Sequence, residues 1–173
     1  GFEVVYIDVD SKGCIDLEQL RSEINDNTIL ISVMHVNNEL GSINPIAEIS
    51  KLKGNALFHS DAVQSYGKVD INAGGTDIDM ISVSGHKIHG PKGIGAIYVR
   101  KGVNVSPYIM GGGQEKNMRS GTENVPAIAG FGVAADISYT NMKTRTDNMK
   151  AARAHLLEGI RGSISDIKVN SPE

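Results

Sequence analysis

An α/β fold built on a mainly parallel sheet is what this chain predicts, on three observations. Strand-like segments alternate with helix-like ones, the signature of βαβ units. One strand segment, "TILISVMHV" at 28–36, is apolar almost without alternation, as a strand covered on both faces requires. Glycine is over-represented, 20 residues in 173 against a usual share of about 7%, so the backbone has many points where it can pass close to something.

Taken in order, residues 3–9 alternate and are β-branched, which reads as a strand. "IDLEQLRSEI" reads as a short helix, with Asp16 as N-cap and Gln19 three residues on in a capping-box arrangement. After the apolar strand at 28–36, "NNELGSINP" turns the chain. Pro45 opens the next helix with Asn44 as its cap, and Gly54 ends it. Strands come next at 56–59, 78–83 and 95–100. The glycines at 111–113 form a turn, residues 126–161 have helical spacing with a break near Asn141, and a last strand is expected at 167–169.

The bulk numbers bound the function. A hydrophobic fraction of 40% with 21% charged residues describes an ordinary globular domain, and 173 residues suffice for one sizeable core. A net charge of −3 offers neither a basic field for nucleic acid nor a polybasic patch for a membrane surface. No apolar run is long enough for a membrane span. The single cysteine, Cys14, excludes an internal disulfide framework and fits a reducing cytoplasm.

In an open parallel sheet, ligands bind beyond the carboxyl ends of the strands. If the strands at 28–36, 56–59 and 78–83 are neighbours, that edge collects Asn37 and Asn38, then Ser60, Asp61 and Gln64, then Ser84, His86 and Lys87. This set suits pyridoxal 5'-phosphate. Lys87 supplies the amine for an imine. Asp61 is the anion that keeps a ring nitrogen protonated. Asn38 and Gln64 offer N–H donors to a phenolic oxygen, and Ser84 and His86 offer donors to a phosphate. Taken singly these residues stay ambiguous: Asp61 reads equally as an N-cap, Lys87 as a loop lysine, and Asn37 and Asn38 as turn formers.

"HVNNELG", "HSDAVQSYGK", "SGHKIHGPKGIGAIYVR" and "GGGQEKNMRSGTENVP" closely resemble the NifS-like cysteine desulfurases of the class V aminotransferase group. The resemblance runs from about Tyr6 to the end of the chain. It implies part of the large domain of a fold-type I pyridoxal-phosphate transferase, a three-layer α/β/α domain. Residues 1–173 then form the central part of that cofactor-binding domain, with the N-terminal portion and the C-terminal small domain outside it. Carried over by position, Lys87 matches the Schiff-base lysine, Asp61 the aspartate on the ring nitrogen, and Asn38 and Gln64 the ligands of the phenolic oxygen. Ser84 and His86 match phosphate ligands. Thr122, in "RSGT", matches a threonine that reaches the phosphate of the neighbouring subunit's cofactor.

The implied reaction takes sulfur from L-cysteine, leaving L-alanine and a persulfide on an enzyme cysteine. The sulfur goes to a scaffold protein for iron–sulfur cluster assembly or to thionucleoside synthesis. Family members are homodimers with the site at the subunit boundary, and a cytoplasmic location is expected here. Two departures accompany the match: the family's glycine-, threonine- and glutamate-containing phosphate loop with its ring-stacking histidine lies before this region, and its nucleophilic cysteine lies after it. Cys14 matches no catalytic position. Two further readings stay open, another class V enzyme (a selenocysteine lyase or an aminotransferase) and a folded piece without turnover.

Other motifs carry less. "GPKGIG" lacks the Gly-Lys-Ser/Thr of a phosphate loop and leads into a strand instead of a helix. His35, His59, His86 and His89 have no metal-site spacing. Arg119 either holds a substrate or pairs with Glu115, its i−4 neighbour. Met34 and Met80 read as core filler.

Overall fold

The computed structural model describes residues 1–172. Helix α1 (Leu17–Glu23) begins where expected, with the Asp16 carboxylate accepting from Glu18 N–H and Gln19 N–H. The reciprocal half of the capping box is absent. Gln19 turns away, its Oε1 accepting from Asp8 N–H at 2.6 Å, and so ties the helix to the preceding segment. Strand β1 (Leu30–Met34) leads to helix α2 (Ile46–Leu52) and then to β2 (Leu57–Asp61), β3 (Met80–Ser84) and β4 (Gly95–Val99). Two helices, α3 (Val125–Thr140) and α4 (Met142–Ser163), meet at the expected break, Asn141.

The sheet has the order β1-β2-β3-β4. β1, β2 and β3 are parallel, with Met34 beside Asp61 and Asp61 beside Ser82. β4 is antiparallel to β3, because Gly85–Ile94 is a turn and not a crossover helix. Its first residue must be glycine: a Cβ on Gly95 would stand 2.5 Å from the Val83 carbonyl oxygen.

One face of the sheet carries Ile31, Phe58 and Ile81, which pack with Leu20, Ile46, Ile49 and Ile78 to form the core. The other carries Leu30, Ser32, His59, Asp61, Ser82 and Ile97 and is more polar. There Leu30 is 50% and Ile97 51% exposed, so the apolar run at 28–36 is covered on one face instead of two. Leu30 lies on an edge strand, where the alternating side chains lack a second packing layer.

Three local expectations change. Residues 3–9 are not a strand; only Val9 bridges, to Ile15, and Phe2, Val4 and Tyr6 are exposed. Residues 167–169 are also irregular. Both segments have strand-like composition, but a strand is held by its ladder and neither has a neighbour to pair with among the described residues. Asn44 does not cap α2, whose N-cap is Pro45. It is buried, accepting from Ile15 N–H at 3.0 Å and donating to the Met34 carbonyl at 2.8 Å, so it pins β1 to the turn before α1.

At the amino edge of the sheet, buried Asp79 accepts from Phe58 N–H at 2.8 Å and pairs with Lys53 at 3.0 Å and Arg100 at 3.6 Å. This cluster joins the amino end of β2 to the start of β3 and the end of β4, and its outer side lines a shallow depression. No helix is long and apolar enough to cross a membrane among the described residues.

Candidate active site

Because β1, β2 and β3 are adjacent and parallel, their carboxyl ends lie along one edge, and the residues just past them are brought together. Asp61 is the last residue of β2 and is half-buried. Its Oδ1 accepts from Val63 N–H at 2.9 Å, closing the turn that comes next. That bond is the N-cap role in reduced form, since residues 62–68 are turns and not a helix. No lysine or arginine pairs with Asp61 among the described residues.

Ser84 ends β3, and its hydroxyl lies 2.7 Å from His86 Nδ1. Lys87 sits on the short 3-10 turn Gly85–Ile88, half-buried, with no carboxylate partner among the described residues. His89 closes this turn in the left-handed conformation (φ 68°), its N–H donating to the Gly85 carbonyl. A non-glycine residue there is uncommon, and the strain sits two residues from Lys87. Helix α3 backs the turn, with Phe131 against Gly85 and Ala134 against Gly90.

Gln64 lies in the turn after β2, half-buried, and its carbonyl accepts from Lys68 Nζ at 3.1 Å. Asn37 is a turn former: its side-chain oxygen accepts from Glu39 and Leu40 N–H groups, both at 2.9 Å. Asn38 is exposed in the same turn. Thr122 is exposed in the loop before α3. Arg119 does not pair with Glu115; its guanidinium donates to the Gly121 carbonyl.

Two polar features escape a reading of the sequence alone. His59 spans three strands, with Nδ1 2.8 Å from the Ser32 hydroxyl and Nε2 2.7 Å from the Ser82 hydroxyl. A neutral imidazole donates from one nitrogen and accepts at the other, and serine hydroxyls serve either way. Burial pushes the His59 ring below its ordinary pKa, and the nearby Asp61 charge opposes that. The row runs one step beneath Asp61 on the same face. The period-two spacing of His59 and Asp61 is the signal that points to it. His35 is buried, its Nδ1 without a partner among the described residues, and burial lowers its pKa as well.

The donor set fits pyridoxal phosphate in its chemistry. It holds an amine and a carboxylate that have no ionic partners among the described residues, on adjoining strand ends, beside a hydroxyl–imidazole pair. The profile of the family described as Aminotransferase class-V matches residues 1–172. The chain belongs to the class-V aminotransferase family. Within it, the chain is 47% identical over 174 residues to a protein named cysteine desulfurase IscS from Rickettsia prowazekii (strain Madrid E), covering 98% of this chain and 42% of the relative.

A solved structure named NifS-like protein superimposes with a TM-score of 0.95 at 39% identity, over 99% of this chain and 48% of that one. A structure described as SspA in complex with cysteine matches with a TM-score of 0.76 at 46% identity, over 79% of this chain and 40% of that one. This class-V aminotransferase chain therefore spans less than half the length of these relatives. The open, mostly parallel sheet with flanking helices is the α/β architecture of that family's large domain.

Proposed function

We propose that this chain is the central part of the cofactor-binding large domain of a pyridoxal-phosphate-dependent cysteine desulfurase. The whole enzyme takes sulfur from L-cysteine, leaving L-alanine and an enzyme persulfide. The observation that carries the reading is the adjacency of two strand ends: Asp61 closes β2 and Lys87 lies just past β3, on parallel neighbours in register. The names and identities of the relatives support it.

When bound, the cofactor supplies a conjugated electron sink for the bonds around the substrate α-carbon. Lys87 would supply the amine that holds the cofactor, and its nitrogen would hold or move a proton at the substrate α-carbon. Asp61 has one oxygen engaged by Val63 N–H, which leaves the other to accept from the protonated ring nitrogen. Gln64 and Asn38 donate to the phenolic oxygen. Ser84 and His86, already coupled through their 2.7 Å contact, donate to the phosphate. Thr122 belongs to the phosphate site of a partner subunit in a cytoplasmic homodimer, which accounts for its exposure in this single chain.

Cys14 is held in the Asp10–Cys14 turn by its own N–H to Asp10 and does not carry the persulfide in this reading. The sulfur passes to a scaffold protein for iron–sulfur cluster assembly or to thionucleoside synthesis. The test is reduction with borohydride after addition of pyridoxal phosphate, with the adduct located by peptide mass spectrometry. An adduct on Lys87, together with sulfide release from L-cysteine by the full-length protein, is expected. Label spread over surface lysines such as Lys51 and Lys150 counts against the reading, and turnover of selenocysteine alone replaces the substrate.

A further inference from the structure

Within the strands, Asp61 has three near neighbours on its own face of the sheet. Met34 of β1 and Ser82 of β3 lie beside it in register, and His59 lies two residues before it on β2. Met34 has no hydrogen-bond donor to offer. Ser82 has one, its hydroxyl proton, and neighbouring strands run only about 4.8 Å apart. Asp61 nonetheless takes nothing from it. The carboxylate accepts from Val63 N–H through Oδ1, and Oδ2 meets no donor among the described residues. The Ser82 hydroxyl is instead 2.7 Å from His59 Nε2, its one partner among the described residues.

On the far side of the ring, Nδ1 is 2.8 Å from the hydroxyl of Ser32, the residue paired with His59 on β1. Ser32 is exposed, so its own proton can go to water while its oxygen accepts. Burial outweighs the Asp61 charge and favours the neutral ring. A neutral imidazole accepts at one nitrogen and donates from the other, and a hydroxyl gives one proton. The arrangement that uses both has Ser82 donating to Nε2 and Nδ1–H donating to Ser32. The reverse would leave the Ser82 proton free beside an open carboxylate oxygen, and the contact it would then make is absent.

We propose that His59 is a positioning residue for Asp61: by holding the Ser82 hydroxyl, with Ser32 fixing the tautomer, it keeps one carboxylate oxygen bare for a cationic N–H ligand. The proposal deepens the cofactor reading, which identifies that ligand as the protonated ring nitrogen, and rests on it for that identity alone. The row of three side chains is a property of the chain itself. Released from His59, the Ser82 hydroxyl turns to the carboxylate beside it. A carboxylate that already accepts from a hydroxyl is less basic, and so a weaker partner for a ring N–H.

Two measurements on the full-length protein decide it. In the cofactor-free protein, long-range 1H–15N correlation of the imidazole rings reads the tautomer, with His59 assigned by the signal lost in His59→Gln. The expected spectrum has the proton on Nδ1 and a bare Nε2. A proton on Nε2 overturns the proposal.

The second measurement is pyridoxal phosphate affinity by equilibrium dialysis in His59→Phe and in His59→Phe with Ser82→Ala. His59→Phe should weaken binding roughly 10-fold, as one competing hydrogen bond implies, and adding Ser82→Ala should recover most of that loss. A merely structural His59 makes the two substitutions add. A double variant that binds no better than His59→Phe therefore overturns the positioning role. Failure of the cofactor reading shows separately, as no saturable pyridoxal phosphate binding in the parent, and the tautomer then decides the row by itself.

Discussion

Replacing Gly67 with alanine tests how the fold sets the site. The new Cβ would stand 2.8 Å from Ser138 Cβ and 3.1 Å from Ile88 Cγ2, at a residue with φ of 70°. The left-handed conformation costs an L-residue about 1–2 kcal/mol, and overpacking a filled site costs about 1–3 kcal/mol. Together they predict a loss of roughly 2–5 kcal/mol, a large share of the roughly 5–15 kcal/mol that holds a typical domain.

The contact can be separated from the backbone strain by a double-mutant cycle with Ser138→Gly, which removes the opposing Cβ. The single change Ser138→Gly costs about 1 kcal/mol for glycine within a helix, and it also removes the hydroxyl that accepts from Arg145. The pair should then couple favourably by about 1–3 kcal/mol, the Ser138 share of the overpacking, leaving the closer-than-usual approach to Ile88 and the φ strain in place. Urea unfolding of the four proteins measures the coupling. A value within about 0.5 kcal/mol of zero would falsify the claim that Gly67 is required by close approach. The Lys87 adduct yield should fall in Gly67→Ala and recover in part in the double variant.

Three further outcomes are expected from the same structure. Asp79→Ala leaves Lys53 and Arg100 without their carboxylate and Phe58 N–H without an acceptor; breaking such a buried pair should cost about 3–5 kcal/mol in urea unfolding. Ser84→Ala should weaken pyridoxal phosphate affinity by roughly 10-fold or more, since a hydrogen bond to a charged group is worth about 1.5–3 kcal/mol; equilibrium dialysis reads it, and unchanged affinity removes Ser84 from the phosphate site. His59 and His35 both have folded pKa values pushed down by burial. The unfolded chain then binds more protons below the ordinary value of 6.5, so stability should fall as pH drops through that value toward the lowered folded pKa. The fall should be smaller in His59→Gln, and an equal fall in both proteins shows that His59 does not contribute.

Much of the fold is legible in the sequence because its signals are local. Asp16 reads as a cap because a carboxylate reaches the N–H groups two and three residues on. The break at Asn141 and the helix end at Gly54 come from backbone preference alone. The strand-end residues are legible for another reason. In a parallel sheet all carboxyl ends share one edge, so the residues just past each strand can be read off as the candidate site.

Partners distant in the chain decide the rest. Residues 3–9 and 167–169 carry strand composition, yet a strand exists only where a neighbour supplies its ladder. Local rules give Gln19 and Asn44 to the nearest backbone, and the folded chain offers Asp8, Ile15 and Met34 instead. The antiparallel β4 results from the tight path through Gly85–Ile94, and the His59 bridge from the lateral order of three strands. The sequence by itself determined which chemical groups stand at the strand ends. Only the tertiary structure decided which strands are neighbours, and hence that Asp61 and Lys87 share an edge. Lateral order depends on long-range packing that no local preference encodes.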